Sequence, residues 1–83
     1  MRGLHNWTYK NVTAFLKENG FDFFEQLPGS HERWLKLADG SDPERRVEIN
    51  AIKGGESYPP KTLKTMIYQS GIDQKEWIEW GSS

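Results

Sequence analysis

The sequence predicts a two-layer α+β sandwich: a three-stranded sheet, two main helices over one of its faces, and a short extra helix at the C-terminal end. Three observations predict it. Tyr9, Val12, Phe15 and Leu16 recur at helical spacing, and so do Leu63, Met66 and Ile67. Between those stretches lie three short strand-like runs, separated by turn-forming residues over connections that favour an antiparallel meander. A chain of 83 residues has room for one core, so the exposed apolar face of the sheet must find its cover in the two helices.

The first helix opens at Thr8, whose hydroxyl is placed to cap free N–H groups, with Trp7 and Val12 at the positions of a hydrophobic staple. Lys10, Lys17 and Glu18 fall outside its apolar face, and Gly20 ends it in the left-handed conformation, with Phe21 folding back on Leu16. Phe21 to Leu27 reads as the first strand, Pro28-Gly29 as a turn, and Ser30 to Leu37 as the second strand. Asp39-Gly40-Ser41-Asp42-Pro43 is a loop whose residues each favour turns. Arg46 to Ile52 follows as a third strand, in which Val47, Ile49 and Ala51 alternate with Arg46, Glu48 and Asn50. A polar connection leads to Pro59-Pro60, which suit a helix entry, and Gly71 ends that second helix. Asp73 and Glu76 make a capping-box-like pair, with Ile72 stapled on Trp77, and a last helix runs to about Trp80. One domain over residues 7–80 results, with 1–6 and 81–83 as loose termini.

Composition narrows the function. Four Trp, four Phe and three Tyr supply large rings to a domain that buries only roughly 60% of its unfolded surface. Absence of cysteine excludes disulfides and thiolate metal sites. There is no membrane-length apolar run and no signal-peptide pattern, so the expectation is a soluble cytoplasmic protein. A net charge of −1 argues against a generalised polyanion binder, and any RNA contact must use a local basic patch. With no His-Glu-x-x-His and no ligand-like spacing between His5 and His31, neither a metal nor a cofactor is expected.

His31 is the residue with the most chemistry to offer. It opens a strand beside Gly29 and Ser30, and imidazole alone among ordinary side chains has an unperturbed pKa in the physiological range. A lone histidine at a strand start also has the plain reading of a structural or merely exposed residue.

The surrounding residues add a resemblance. A capped helix ending in Asn19-Gly20-Phe21, a short strand, and Gly29-Ser30-His31 opening the next strand together resemble the HicA toxins of bacterial toxin–antitoxin pairs. Pro60-Lys61-Thr62-Leu63-Lys64-Thr65-Met66-Ile67, with Gly71-Ile72 ending the helix, is similar to that family's second helix. The resemblance covers about Thr8 to Trp80. It implies an α-β-β-β-α fold like that of double-stranded-RNA-binding domains. It also implies ribosome-independent cleavage of messenger RNA with His31 at the active site, within a type II system whose HicB-like antitoxin holds the toxin off. The chain departs from the family in two places: Asn50-Ala51-Ile52-Lys53-Gly54-Gly55-Glu56 lacks the histidine many members carry there, and the overall charge is not basic.

RNA can be cleaved through its own 2′-hydroxyl by a base, an acid and cations that stabilise the phosphorane. His31 suits the base or the acid, and the second proton carrier lies among Glu32, a lysine such as Lys53, and water. Arg33, Arg45, Arg46, Lys53, Lys61 and Lys64 are candidates to hold phosphates, and Ser30 to hydrogen-bond one. Trp34 or Tyr58 is a candidate to stack an unpaired base. Plainer readings stand beside these: Trp34 as core, Arg45-Arg46 as a solvated strand entry, Lys61 and Lys64 as the wet side of a helix. Two other classes stay open, a non-catalytic RNA-binding domain and a protein-interaction domain docking through aromatics such as Trp77 or Trp80.

Overall fold

Thr8 starts the first helix as its sequence context requires. Its side chain accepts from Asn11 N while Asn11 Oδ1 accepts from Thr8 N, a reciprocal capping box, and the staple residues Trp7 and Val12 are both fully buried. At the other end Gly20 has φ +88°, and Phe21 N and Gly20 N donate to Leu16 O and Lys17 O. That is a Schellman closure, and it turns the chain straight into the sheet.

A computed structural model describes residues 3–52 and 54–82. Its elements run α1 (Tyr9–Glu18), β1 (Asp22–Gln26), β2 (His31–Lys36), β3 (Arg45–Asn50), α2 (Pro60–Ser70) and α3 (Gln74–Ser82). The chain is thus a small α+β fold of the expected order. The third strand is displaced: it begins at Arg45 and stops at Asn50, because Ile52 N turns back to Asn50 O, 2.9 Å. Asp73 accepts from Lys75 N at the start of α3, and that helix continues through Gly81 and Ser82, past the expected end. Gly81 is there for a steric reason, since a Cβ would lie 2.7 Å from Trp7 Cζ2.

The sheet is an antiparallel meander in the order β1-β2-β3. Trp34 opposes Val47, and Glu32 opposes Ile49, so these four share the helix-covered face. Phe23 opposes Trp34 from β1 and meets its ring edge-on. Leu16, Val12, Leu63, Met66 and Ile67 complete the core from the helices. Over β2, Tyr9 Oη of α1 donates to Glu32 Oε1 at 2.8 Å, and Lys17 Nζ stands 5.6 Å from the Trp34 ring centre. Beside β3, Gln69 of α2 accepts from Glu48 N at 3.0 Å and covers that edge of the sheet.

Aromatic rings hold α3 in place. Phe15 and Trp77 lie 4.3 Å apart, and Trp7 and Trp80 stack at 5.7 Å. Trp77 is fully buried, as a staple partner of Ile72 should be, and Trp80 partly so; both serve the interior rather than the docking surface that the protein-interaction alternative would need. The residues ahead of α1 are also engaged, through Trp7 Nε1 donating to Gly3 O at 2.8 Å and Leu4 against the core. Among the described residues no helix is long and apolar enough to cross a membrane.

Candidate active site on the open sheet face

Alternation along β2 decides which candidates can act together. With Trp34 and Glu32 turned toward the helices, His31, Arg33 and Leu35 project from the uncovered face, as do Arg46 and Glu48 from β3. His31 is fixed at the head of β2 by its backbone. Its carbonyl accepts from Leu27 N and from Gln26 Nε2, each at 2.8 Å, and Ala51 N donates to Ser30 O at 2.7 Å. Gly29 closes the turn with φ +74°, beside the ring it delivers: a Cβ there would stand 3.8 Å from His31 Cδ2.

Among the described residues the imidazole has one charged neighbour, which spacing along the chain does not reveal. Glu48 Oε1 lies 3.4 Å from His31 Nδ1, with the two side chains 51% and 48% exposed. The carboxylate is placed to pair with the ring when it is protonated and to hold its orientation, while half of the ring stays open to a substrate. Period-two alternation already puts Glu48 outward on β3. Bringing it to His31 takes the strand register, Arg33 opposite Glu48 and His31 opposite Asn50.

His31 and Arg33 therefore share one face of the sheet, with Ser30 next to them in the turn that leads into β2. Arg33 forms an ion pair with Glu25 of β1, so its charge is largely matched. Arg46 sits opposite Leu35, four residues or about 13 Å down the strand from the histidine, and pairs with Glu44 at 2.9 Å. Arg45 opposes Lys36 on the helix-covered side and lies against Gly71, so it does not join His31. Lys61 and Lys64 are exposed on α2, in the other layer. The start of α2 is nonetheless at the histidine end, because Tyr58 Oη donates to Asn50 O at 2.6 Å and Asn50 opposes His31. Lys53 lies outside the described residues.

Three candidate roles fall away, and Trp34 takes its plainer reading as core. Glu32 is behind the sheet, accepting from Tyr9 Oη and from Trp34 Nε1 at 3.0 Å, and is not on the histidine's face. Trp34 and Tyr58 are buried and cannot stack a base without leaving the core. Burial, then the hydrogen bond to Glu32 and its charge, pushes the Tyr9 hydroxyl up to about 12; burial first, then the charges of Tyr9 and Glu32, raises Tyr58 as well. Both phenols stay neutral hydrogen-bond donors at physiological pH.

Two concavities lie away from His31. One, about 410 Å³, runs between α1 and α3 beside Phe15, Glu18 and Trp80. The other, about 250 Å³, is bounded by Asp22, Phe23, Phe24, Leu35 and Leu37. Comparison of the chain with protein families, curated proteins and solved structures finds no match.

Proposed function

We propose that this chain is an endoribonuclease of the HicA kind, the toxin of a toxin–antitoxin pair, acting on messenger RNA in the cytoplasm through His31. The observation that carries the reading is the placement of the Gly29-Ser30-His31 triplet. It aims a half-exposed imidazole from the uncovered sheet face with Glu48 behind Nδ1. The resemblance of Asn19-Gly20-Phe21, of that triplet and of the Pro60 to Ile67 helix to HicA toxins supports the same reading.

The chemistry is transesterification within the RNA. A base takes the 2′-hydroxyl proton, the 2′-oxygen attacks phosphorus, and the 5′-oxygen leaves with a proton from an acid. The products are a 2′,3′-cyclic phosphate and a 5′-hydroxyl, and no metal ion is needed for any step. His31 serves as one of the two proton carriers, water being the simplest other. Glu48 positions the ring. Ser30 and Arg33 are the groups nearest along the chain for a non-bridging phosphate oxygen. A HicB-like antitoxin would silence the enzyme by covering this face.

A second reading, a non-catalytic protein-interaction domain, draws on one observation: Arg33 and Arg46 each already face a glutamate, which leaves little free positive charge on the open sheet face and weakens the non-catalytic RNA-binding alternative as well. Expression in a bacterial host separates the two. The nuclease reading expects growth arrest by the wild type and none by a folded His31→Ala variant. Arrest by both, or by neither, would remove the ground for assigning catalysis to His31.

A further inference from the structure

One side chain holds the turn that delivers His31. Between Leu27 and His31 the chain runs through Pro28, Gly29 and Ser30, and Pro28 has no N–H to donate. The loop is closed by Leu27 N donating to His31 O at 2.8 Å, and Ser30 O is tied to β3 by Ala51 N at 2.7 Å. Among the described residues no backbone-to-backbone hydrogen bond involves Pro28 or Gly29, and Gly29 sits in the left-handed region at φ +74°. Glycine has the widest backbone freedom of any residue, so the turn needs a restraint from elsewhere. Gln26, the last residue of β1, supplies it. Its Nε2 donates to His31 O at 2.8 Å and reaches Leu27 O at 3.3 Å and Gly29 O at 3.4 Å. All three partners are carbonyls, so the group facing them must be the donor end of the amide, and a carboxylate could not replace it.

The ring itself is bounded on both flanks. Nδ1 faces Glu48 Oε1 at 3.4 Å, and a Cβ on Gly29 would stand 3.8 Å from Cδ2. Nδ1 and Cδ2 are the two ring atoms bonded to Cγ. What remains for a ligand is the outer edge, Cε1 and Nε2, and the side chain is open enough for that edge to be reached. A carboxylate beside Nδ1 favours the tautomer with its proton on that nitrogen, which leaves the Nε2 lone pair free.

We propose, on the reading of His31 as the acting group, that Gln26 is a positioning residue of this site. By tying Gly29 O and His31 O together it keeps the ring against Glu48, so that Nδ1 carries the proton and Nε2 is the nitrogen that meets the ligand. Gln26 acts through the backbone of His31 and not on a substrate.

The test compares wild type with three variants in long-range ¹H–¹⁵N spectra of the histidine rings, at a pH where histidine is neutral. Gln26→Met keeps the side-chain length and loses the donor, Gln26→Glu sets an acceptor against the same carbonyls, and Glu48→Ala removes the partner of Nδ1. Gln26 is exposed, so the fold survives its replacement, which the amide spectrum of each variant verifies. Expected are an Nδ1–H tautomer for wild-type His31 and its loss in all three variants, with the His5 signals unmoved. Turnover of RNA by Gln26→Met should show kcat lowered about tenfold and KM within about twofold of wild type. A wild-type His31 ring in the Nε2–H form would overturn the proposal, as would a Gln26→Met chain that keeps the wild-type ring spectrum or the wild-type kcat. The expected ring spectra together with a wild type that leaves RNA intact would uphold the role of Gln26 in placing the ring and count against the nuclease reading alone.

Discussion

Replacing Glu32 with alanine removes the acceptor that Tyr9 Oη and Trp34 Nε1 share, at 2.8 and 3.0 Å on the same carboxylate oxygen. A hydrogen bond to a charged group contributes about 1.5–3 kcal/mol. The two bonds fall on one oxygen of a partly exposed side chain, so the combined loss sits near the low end, about 2–3 kcal/mol. For a domain of this length total stability is on the order of 4–12 kcal/mol. The melting point should then fall by about 10–20 °C, at about 4–8 °C per kcal/mol. Glu32→Gln keeps an oxygen in place and loses only the charge, and should cost about 1 kcal/mol. Urea denaturation of the three proteins measures both differences directly. An alanine variant within about 0.5 kcal/mol of wild type, or a glutamine variant as costly as alanine, would show that the Glu32 carboxylate does not hold Tyr9 and Trp34 in this way. The same pair of variants tests the division of the sheet into two faces. Glu32→Gln should leave RNA cleavage per folded molecule unchanged, and its loss would make Glu32 a proton carrier that reaches the substrate.

Three further outcomes follow from the same geometry. The folded chain holds the Tyr9 proton more tightly than the unfolded chain, about 12 against 10.0, so stability present below pH 10 is lost as pH rises through that window. Urea midpoints on either side of pH 10 should fall steeply for wild type and less steeply for Tyr9→Phe, with Tyr58 shifted in the same direction and supplying the remainder. Thr8→Ala should cost about 1 kcal/mol in the same assay, and adding Asn11→Ala should cost less than the two losses summed, because the capping box is reciprocal. Gly71→Ala forces a side chain at φ +72° and sets its Cβ 2.6 Å from Arg45 Cζ, so it should cost at least about 1–2 kcal/mol; Arg45→Ala in the same chain should recover the contact part alone.

Local signals carried most of the fold. Thr8 with Asn11, Gly20 with Phe21, and the αL residue Gly71 set element ends through contacts a few residues apart, and these are visible as spacing. The end of α3 was less visible, because Gly81 and Ser82 read as a tail until the Trp7 ring is known to lie against Gly81. The site was legible by residue and not by partner. His31 and Arg33 alternate outward on β2 as a period of two requires, and the same rule puts Glu48 outward on β3. Their meeting depends on cross-strand register, which the loop from Leu37 to Glu44 does not specify in sequence. The neutralisation of Arg33 by Glu25 is hidden for the same reason, since the bulge at Phe24 moves Glu25 by one position. Tyr58 and Trp34 show the converse: aromatics that suit base stacking by type are consumed by a core short of large residues.

The proposed chemistry puts metal-independent cleavage of RNA on the imidazole of His31. Purified protein and a His31→Ala variant of matching circular dichroism should be incubated with a long unstructured RNA, with and without EDTA, and the new ends identified. Cleavage is expected from wild type alone, undiminished by EDTA, leaving 2′,3′-cyclic phosphate and 5′-hydroxyl termini. Intact RNA with the folded wild type, or cleavage that survives in His31→Ala, would contradict it.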